Sequence, residues 1–187
     1  MENKDSEEIK KLAGLYNMIP NFIWSLLNLV PISIFCFKIV DLKIVYIFLA
    51  ISFSPIFLKN SFLDKIQIGK TSSIYRKLGV HFINRVAQNG VLINKLIKRK
   101  FPDYKAVTNN KSSIAKLINQ TYMFEKFHLM LFIFFSLIII YAVLHQELLW
   151  SFIILLCNIV YNVYPNFLQQ YIRLKLKLYS KREAESL

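Results

Sequence analysis

The chain has 187 residues, is 55% hydrophobic and has a mean hydropathy of +0.40, which is more apolar than a soluble domain, where about 45–50% is usual. It has a net charge of +13 and two cysteines, Cys36 and Cys157, both inside apolar runs. These properties exclude a disulfide-stabilised secreted domain and favour a membrane protein.

Apolar runs define the predicted elements, because about 20 apolar residues (range about 17–25) suffice for a spanning helix. The first, third and fourth runs meet that length, whereas the second is short and ends near Pro55. The first is too long for the apolar region of a cleavable signal peptide, and no small-residue cleavage site follows it. The four runs cover residues 19–37, 44–58, 127–144 and 148–172.

We predict an all-α polytopic membrane bundle made of two transmembrane hairpins. The first hairpin covers residues 19–58 and turns through "KIVDLK"; the second covers residues 121–173 and turns through "HQE". A basic middle segment, residues 59–120, separates them, and the hairpins are flanked by residues 1–18 and a basic tail at residues 174–187. The short second run could be tilted or only partly inserted.

The distribution of basic residues predicts the orientation. Residues 59–126 carry 14 Lys and Arg against three acids. Cytoplasmic loops are enriched in Lys and Arg, so we expect a multi-pass protein of the cell membrane, with both termini and the middle segment in the cytoplasm. The bases flank membrane segments and no nucleic-acid motif accompanies them, so anionic lipid is the expected partner and nucleic acid is not.

The middle segment is predicted to contain an amphipathic helix at "NGVLINKLIKRKF", lying on the inner leaflet. Pro102 and "TNNKSS" should end it, and a further helix starting near Ser112 should continue unbroken into the third run.

Two ionisable residues open that third run. Glu125 and His128 are three positions apart, which places them on the same side of a helix. They could be the polar cap of a membrane helix, or a general base with its orienting carboxylate. Half of a di-iron motif has this spacing, but no other acid lies inside a span, so we predict no metal site.

The fourth run carries a polar stripe on one helical face. Polar side chains facing lipid are costly, so these should face the bundle, with Asn158 near mid-membrane and Arg173 at the cytoplasmic interface. The stripe could join the helices by hydrogen bonds, or it could bind a substrate beside Glu125 and His128. Pro165 should kink the helix by freeing the Tyr161 carbonyl. The stripe consists of Asn158, Asn162, Asn166, Gln169 and Arg173.

Three blocks of sequence resemble the glycosyl-4,4'-diaponeurosporenoate acyltransferase family. They are "YRKLGVHFINR", which begins at Tyr75; "FEKFH", which contains the Glu-x-x-His; and "NVYPNFLQQYIRLKL". The last block resembles the closing signature of the family, and the resemblance covers roughly residues 75–178 in the right order. Gln170 and Ile172 depart from that signature. The matching positions there are Asn162, Pro165, Gln169, Tyr171 and Arg173.

The resemblance implies transfer of a fatty acyl group to a sugar hydroxyl of a membrane glycolipid similar to a carotenoid glycoside. His128 would deprotonate the hydroxyl, Glu125 would orient the imidazole, and Arg173 and Gln169 would position the donor or the sugar. An acyl thioester is the expected co-substrate, with no further cofactor, and the expected partners are the bilayer, a lipid-linked sugar acceptor and the acyl donor. Further candidate substrate-binding residues are Asn158, Asn162, Tyr171 and Tyr75.

One alternative remains open on the sequence. A non-enzymatic membrane subunit could use the same polar faces to pack against a partner protein or to bind lipid. A transporter is disfavoured because no ionisable residue lies at mid-span. The sequence indicates no oligomeric state.

Overall fold

The computed structural model describes residues 2–87, 90–102 and 111–185, and this part of the chain is helical with no strand. The predicted all-α class is confirmed. The helices, in chain order, are α1 (Glu2–Lys38), α2 (Leu42–Ser52), a 3-10 helix (Ser54–Phe57), α3 (Asn60–Lys65), α4 (Ser72–Lys77), α5 (Val80–Val86), α6 (Val91–Lys100), α7 (Lys111–Leu144), α8 (Leu148–Asn158), a π-helical turn (Ile159–Val163) and α9 (Tyr164–Glu185).

Three stretches are long and apolar enough to cross a membrane: Glu7–Lys38, Ser112–Leu144 and Leu148–Arg182. Most residues in their apolar windows are not buried inside the protein. Exposing that much apolar surface to water would be costly, at about 25 cal/mol per Å², so these faces suit a hydrocarbon environment. Leu42–Phe57 is shorter, and the arrangement as two transmembrane hairpins therefore stays a prediction.

An apolar core joins α1, α2, α7 and α8. Its fully buried members include Phe35 and Ile154, and the rings of Phe35 and Trp150 lie 5.6 Å apart. The reversal between α7 and α8 is short because Gln146 adopts a left-handed conformation (φ 62°). The core anchors one end of the bundle. The buried residues are Ile32, Phe35, Cys36, Val40, Phe135, Ile138, Ala142 and Ile154.

The short helices of the middle segment pack at the other end. Helices α4 and α5 contact α9, and α6 contacts α1 and α5. In α6, Ile93 and Ile97 are buried against the protein, so this part of the predicted amphipathic stripe faces neighbouring helices. Helix α7 is continuous from Lys111, as predicted. The predicted break at "TNNKSS" lies partly outside the described residues.

The fourth run contains a π-helical turn, after which the Tyr164 N–H donates to the Ile159 carbonyl. Side chains four residues apart overshoot a full α-helical turn by about 40°. A wider π turn reduces that drift. Asn158, Asn162 and Asn166 are therefore all buried. The kink predicted before Pro165 stays a prediction, but a π turn occupies that place and keeps the asparagines facing the bundle.

A candidate active site beside two buried polar clusters

A cavity of about 430 Å³ lies between α1, α5, α6, α7 and α9. Its walls are largely apolar, with polar side chains from several helices. His128 from α7 and Gln169 from α9 both line it, and Tyr161 of the π turn lies on the same wall. Such a cavity suits an amphiphilic ligand, because apolar walls accept a chain while a few polar groups orient its head.

His128 is held by aromatic and polar neighbours. Its ring makes an edge contact with the Tyr161 ring at a centroid distance of 5.9 Å. The Asn162 side chain and the Tyr161 backbone lie beside the imidazole. Its Nδ1 is buried and lacks a hydrogen bond of regular geometry. The Tyr161 hydroxyl lies 2.8 Å from Ser25 Oγ on α1, which fixes the wall next to the imidazole.

Glu125 lies on a different side of α7 and is fully buried. Its Oε2 is 2.5 Å from Arg173 Nη1, and its Oε1 accepts a hydrogen bond of 2.7 Å from Gln170 Nε2. Arg173 is also fully buried, with its Nε 3.2 Å from Asp64 Oδ1. Its guanidinium lies 4.3 Å from the centre of the Tyr122 ring. A buried carboxylate and guanidinium thus neutralise each other between α7 and α9.

Asp64 extends this cluster toward solvent. Its Oδ2 accepts hydrogen bonds of 2.8 Å from both Lys177 Nζ and the Tyr122 hydroxyl. Partial burial raises the pKa of the Asp64 carboxyl, but the hydrogen bonds from Lys177 and Tyr122 and the nearby positive charges outweigh it. The pKa therefore lies below its ordinary value, so Asp64 is ionised and links α3 to α9.

Tyr75 extends the cluster in the other direction. Its hydroxyl lies 3.1 Å from Gln170 Oε1 and 3.2 Å from the Gly69 carbonyl. Its ring is fully buried beside the Tyr171 ring, at 6.0 Å between centroids. Burial raises the pKa of the Tyr75 hydroxyl, so this group stays a neutral hydrogen-bonding link between α4 and α9.

The predicted contact between Glu125 and His128 is wrong. Positions three apart differ by about 60° around a helix axis. Here that angle directs Glu125 toward Arg173 and His128 toward the cavity. Arg173 is likewise occupied by carboxylates, whereas Gln169 reaches the cavity as expected.

The remaining predicted residues lie outside the cavity wall. Asn158 and Asn162 are buried, and their side chains hydrogen bond to each other. Tyr75 and Tyr171 pack together with Leu168 in an apolar cluster under α4 and α5. These four side chains support the helices that form the cavity. Their assignment to substrate binding stays a prediction.

Two residues of the ionic cluster, Gln170 and Asp64, were not predicted from the sequence as site residues. Gln170 is adjacent to the predicted stripe, and the π turn makes its position hard to read from a regular helical period. Asp64 is one of only three acids in a basic stretch, which was the one available signal. In the described part of the chain, no three His, Cys, Asp or Glu side chains gather as a metal site would require.

Comparison with known proteins places His128, Gln169 and the ionic cluster in one family-matched region. A family model described as glycosyl-4,4'-diaponeurosporenoate acyltransferase matches residues 59–182, more than half of the chain. Comparison with curated proteins and with solved structures gives no match.

Proposed function

The chain belongs to the glycosyl-4,4'-diaponeurosporenoate acyltransferase family, and on that basis we propose that it transfers a fatty acyl group to a sugar hydroxyl of a membrane glycolipid. The observation that carries the proposal is the largely apolar cavity, which has an imidazole and an amide in its wall. Acyl transfer to a hydroxyl needs a base for the alcohol and space for a lipid chain. His128 is suited to the first role, and the apolar wall to the second.

In the proposed reaction, His128 takes the proton of the sugar hydroxyl as its oxygen attacks the carbonyl carbon of an acyl thioester. The new C–O bond forms, the C–S bond breaks, and the imidazolium returns its proton to the departing thiolate. The products are an acylated glycolipid and a free thiol. Gln169 lines the same cavity and can orient the sugar or the thioester by hydrogen bonds.

Glu125 and Arg173 take a supporting role in this proposal. Both side chains are buried and paired, so neither is free to contact substrate. They hold α7 against α9, and His128 and Gln169 belong to these two helices. The pair thereby maintains the distance across the cavity.

The proposed location is the cytoplasmic face of the cell membrane, with both termini and the middle segment in the cytoplasm. Acyl thioesters are cytoplasmic, and the lipid-linked acceptor would enter from the bilayer. Exposed bases on α6, including Lys95, Lys98 and Arg99, would attract an anionic donor. No cofactor other than the acyl donor takes part in this scheme.

Replacing His128 by alanine tests the catalytic assignment. Membranes containing the protein are supplied with an acyl thioester and a glycolipid acceptor, and the acylated product is measured by mass spectrometry. Loss of a general base should lower turnover by about 10²–10⁴-fold. His145→Ala is the matched control, because His145 is exposed in the turn that follows α7. Retained turnover in His128→Ala, at normal protein levels, would refute the catalytic role.

Lipid profiles of cells with and without the protein test the function as a whole. We expect one acylated glycolipid to disappear with the protein and its unacylated precursor to accumulate. Identical profiles, combined with no transfer in membranes, would refute the proposal. They would favour the non-enzymatic subunit, whose polar faces serve packing or lipid binding.

A further inference from the structure

A row of amide and hydroxyl groups leads to His128 from the membrane interior. Asn158 Nδ2 donates to Ser136 Oγ at 3.2 Å, and Asn162 Nδ2 donates to Asn158 Oδ1 at 2.8 Å. Asn158 and Asn162 are 2% and 0% exposed. The row is therefore shielded from solvent, and the imidazole stands at its end beside Asn162.

The orientation of the Asn162 amide follows from these bonds. Its NH₂ group is committed to Asn158, which leaves its carbonyl oxygen to face other neighbours. That oxygen is buried without a partner of regular geometry, and so is the Nδ1 of His128. A buried polar atom without a partner costs about 1–3 kcal/mol. The two atoms are complementary, because a protonated Nδ1 donates and an amide oxygen accepts.

We propose that Asn162 is the positioning residue of His128, accepting the Nδ1–H bond so that the Nε2 lone pair is the base. This inference rests on the proposed function, in which His128 takes the substrate proton. It replaces the carboxylate expected from the sequence with a neutral amide, whose own orientation is set by Asn158 and Ser136. The hydrogen bond on one ring nitrogen determines which tautomer is present.

The surroundings of the imidazole agree with an uncharged orienting group. Glu125 and Lys126, its ionisable neighbours on α7, bond to Arg173 and to the Ile56 carbonyl. From the other helices the ring faces Asn162 and the Tyr161 ring and backbone. Asn162 is the side-chain amide among these groups, and its unpartnered carbonyl oxygen can accept a hydrogen bond without adding charge to the membrane interior.

Kinetics of Asn162→Leu provide the first test. Leucine has a similar shape without the acceptor, so kcat should fall at least about tenfold, and by no more than the 10²–10⁴ that proton transfer supplies, while KM stays the same. The control is Asn166→Leu, which also removes a buried amide of the polar stripe and should keep the wild-type kcat. Wild-type kcat in Asn162→Leu, with His128→Ala inactive, overturns the inference and leaves the proposed function intact.

The tautomer of His128 in the wild-type protein provides a second test, which depends neither on activity nor on the folding of a variant of Asn162. Wild-type protein labelled with ¹⁵N-histidine is placed in lipid nanodiscs at about pH 8, above the ordinary pKa of a histidine side chain, about 6.5. The His128 signals are assigned by their loss in His128→Ala. We expect the proton on Nδ1, and a shift toward Nε2 in Asn162→Leu. A wild-type His128 protonated on Nε2 overturns the inference, whereas absence of transfer by wild-type protein refutes the proposed function beneath it.

Discussion

Replacing Arg173 by methionine should destabilise the protein more than replacing Glu125 by glutamine, although the two residues form one ion pair. Both side chains are 1% exposed. Arg173→Met leaves the Glu125 carboxylate buried with only its bond to Gln170. In Glu125→Gln, Arg173 keeps its contact with Asp64 at 3.2 Å. The new amide at position 125 can still donate or accept hydrogen bonds. The asymmetry arises because Arg173 has a second carboxylate partner.

The magnitudes follow from burial. Removing one partner of a buried ion pair costs about 3–5 kcal/mol, which applies to Arg173→Met. Glu125→Gln should cost about 1.5–3 kcal/mol, the value of a hydrogen bond to a charged group. The double variant removes both charges and should be more stable than Arg173→Met alone. Its coupling energy should lie within the range of about 0.5–3 kcal/mol seen for contacting residues.

Unfolding by SDS in mixed micelles gives the measurement, followed by the fluorescence of Trp24 and Trp150. The four proteins of the cycle are wild type, Glu125→Gln, Arg173→Met and the double variant. Equal stability of the single variants, or a double variant whose loss is the sum of the two, would show that the pair is not the buried contact described here.

Two further predictions concern the middle segment. Lowering the pH should destabilise the protein through Asp64. Partial burial raises the pKa of its carboxyl, but the hydrogen bonds from Lys177 and Tyr122 and the nearby positive charges hold that pKa below its ordinary value. That contribution is complete above the unfolded pKa of about 3.9 and is lost as the pH falls through the lower folded pKa. Asp64→Asn should therefore lose less stability on acidification than wild type; an identical acid profile would contradict this. Gly90→Ala should destabilise by about 1–3 kcal/mol, because a Cβ there would lie 2.2 Å from the Asn84 carbonyl oxygen. Gly14→Ala is the control, with nothing within 4 Å of its Cβ, and equal thermal stability of the two variants would show that the turn tolerates a side chain.

Much of the architecture is a local property of the sequence. A helix starting near Ser112 and running unbroken into the third apolar run was predicted, and α7 has that form. A kink before Pro165 was expected because proline lacks an N–H, and a π turn occupies that place. Helical length and continuity depend on nearby residues, so they can be predicted without knowledge of the packing.

The partners of the candidate site residues could not be predicted in the same way. Spacing placed Glu125 and His128 on one side of a helix, yet their directions differ enough to reach different neighbours. Asp64 comes to Arg173 from a distant helix, and no local pattern specifies such a contact. The π turn also changes the helical period, which brings Gln170 to Glu125.

By itself the sequence determined an apolar, all-helical chain and the helices that carry His128 and Gln169, because hydrophobic runs and helical periods are encoded over short distances. Only the tertiary structure decided that His128 faces a cavity while Glu125 and Arg173 neutralise each other behind it. That outcome depends on how separate helices rotate and pack against each other, since burial of a charge is favourable only where the opposite charge arrives at the same place.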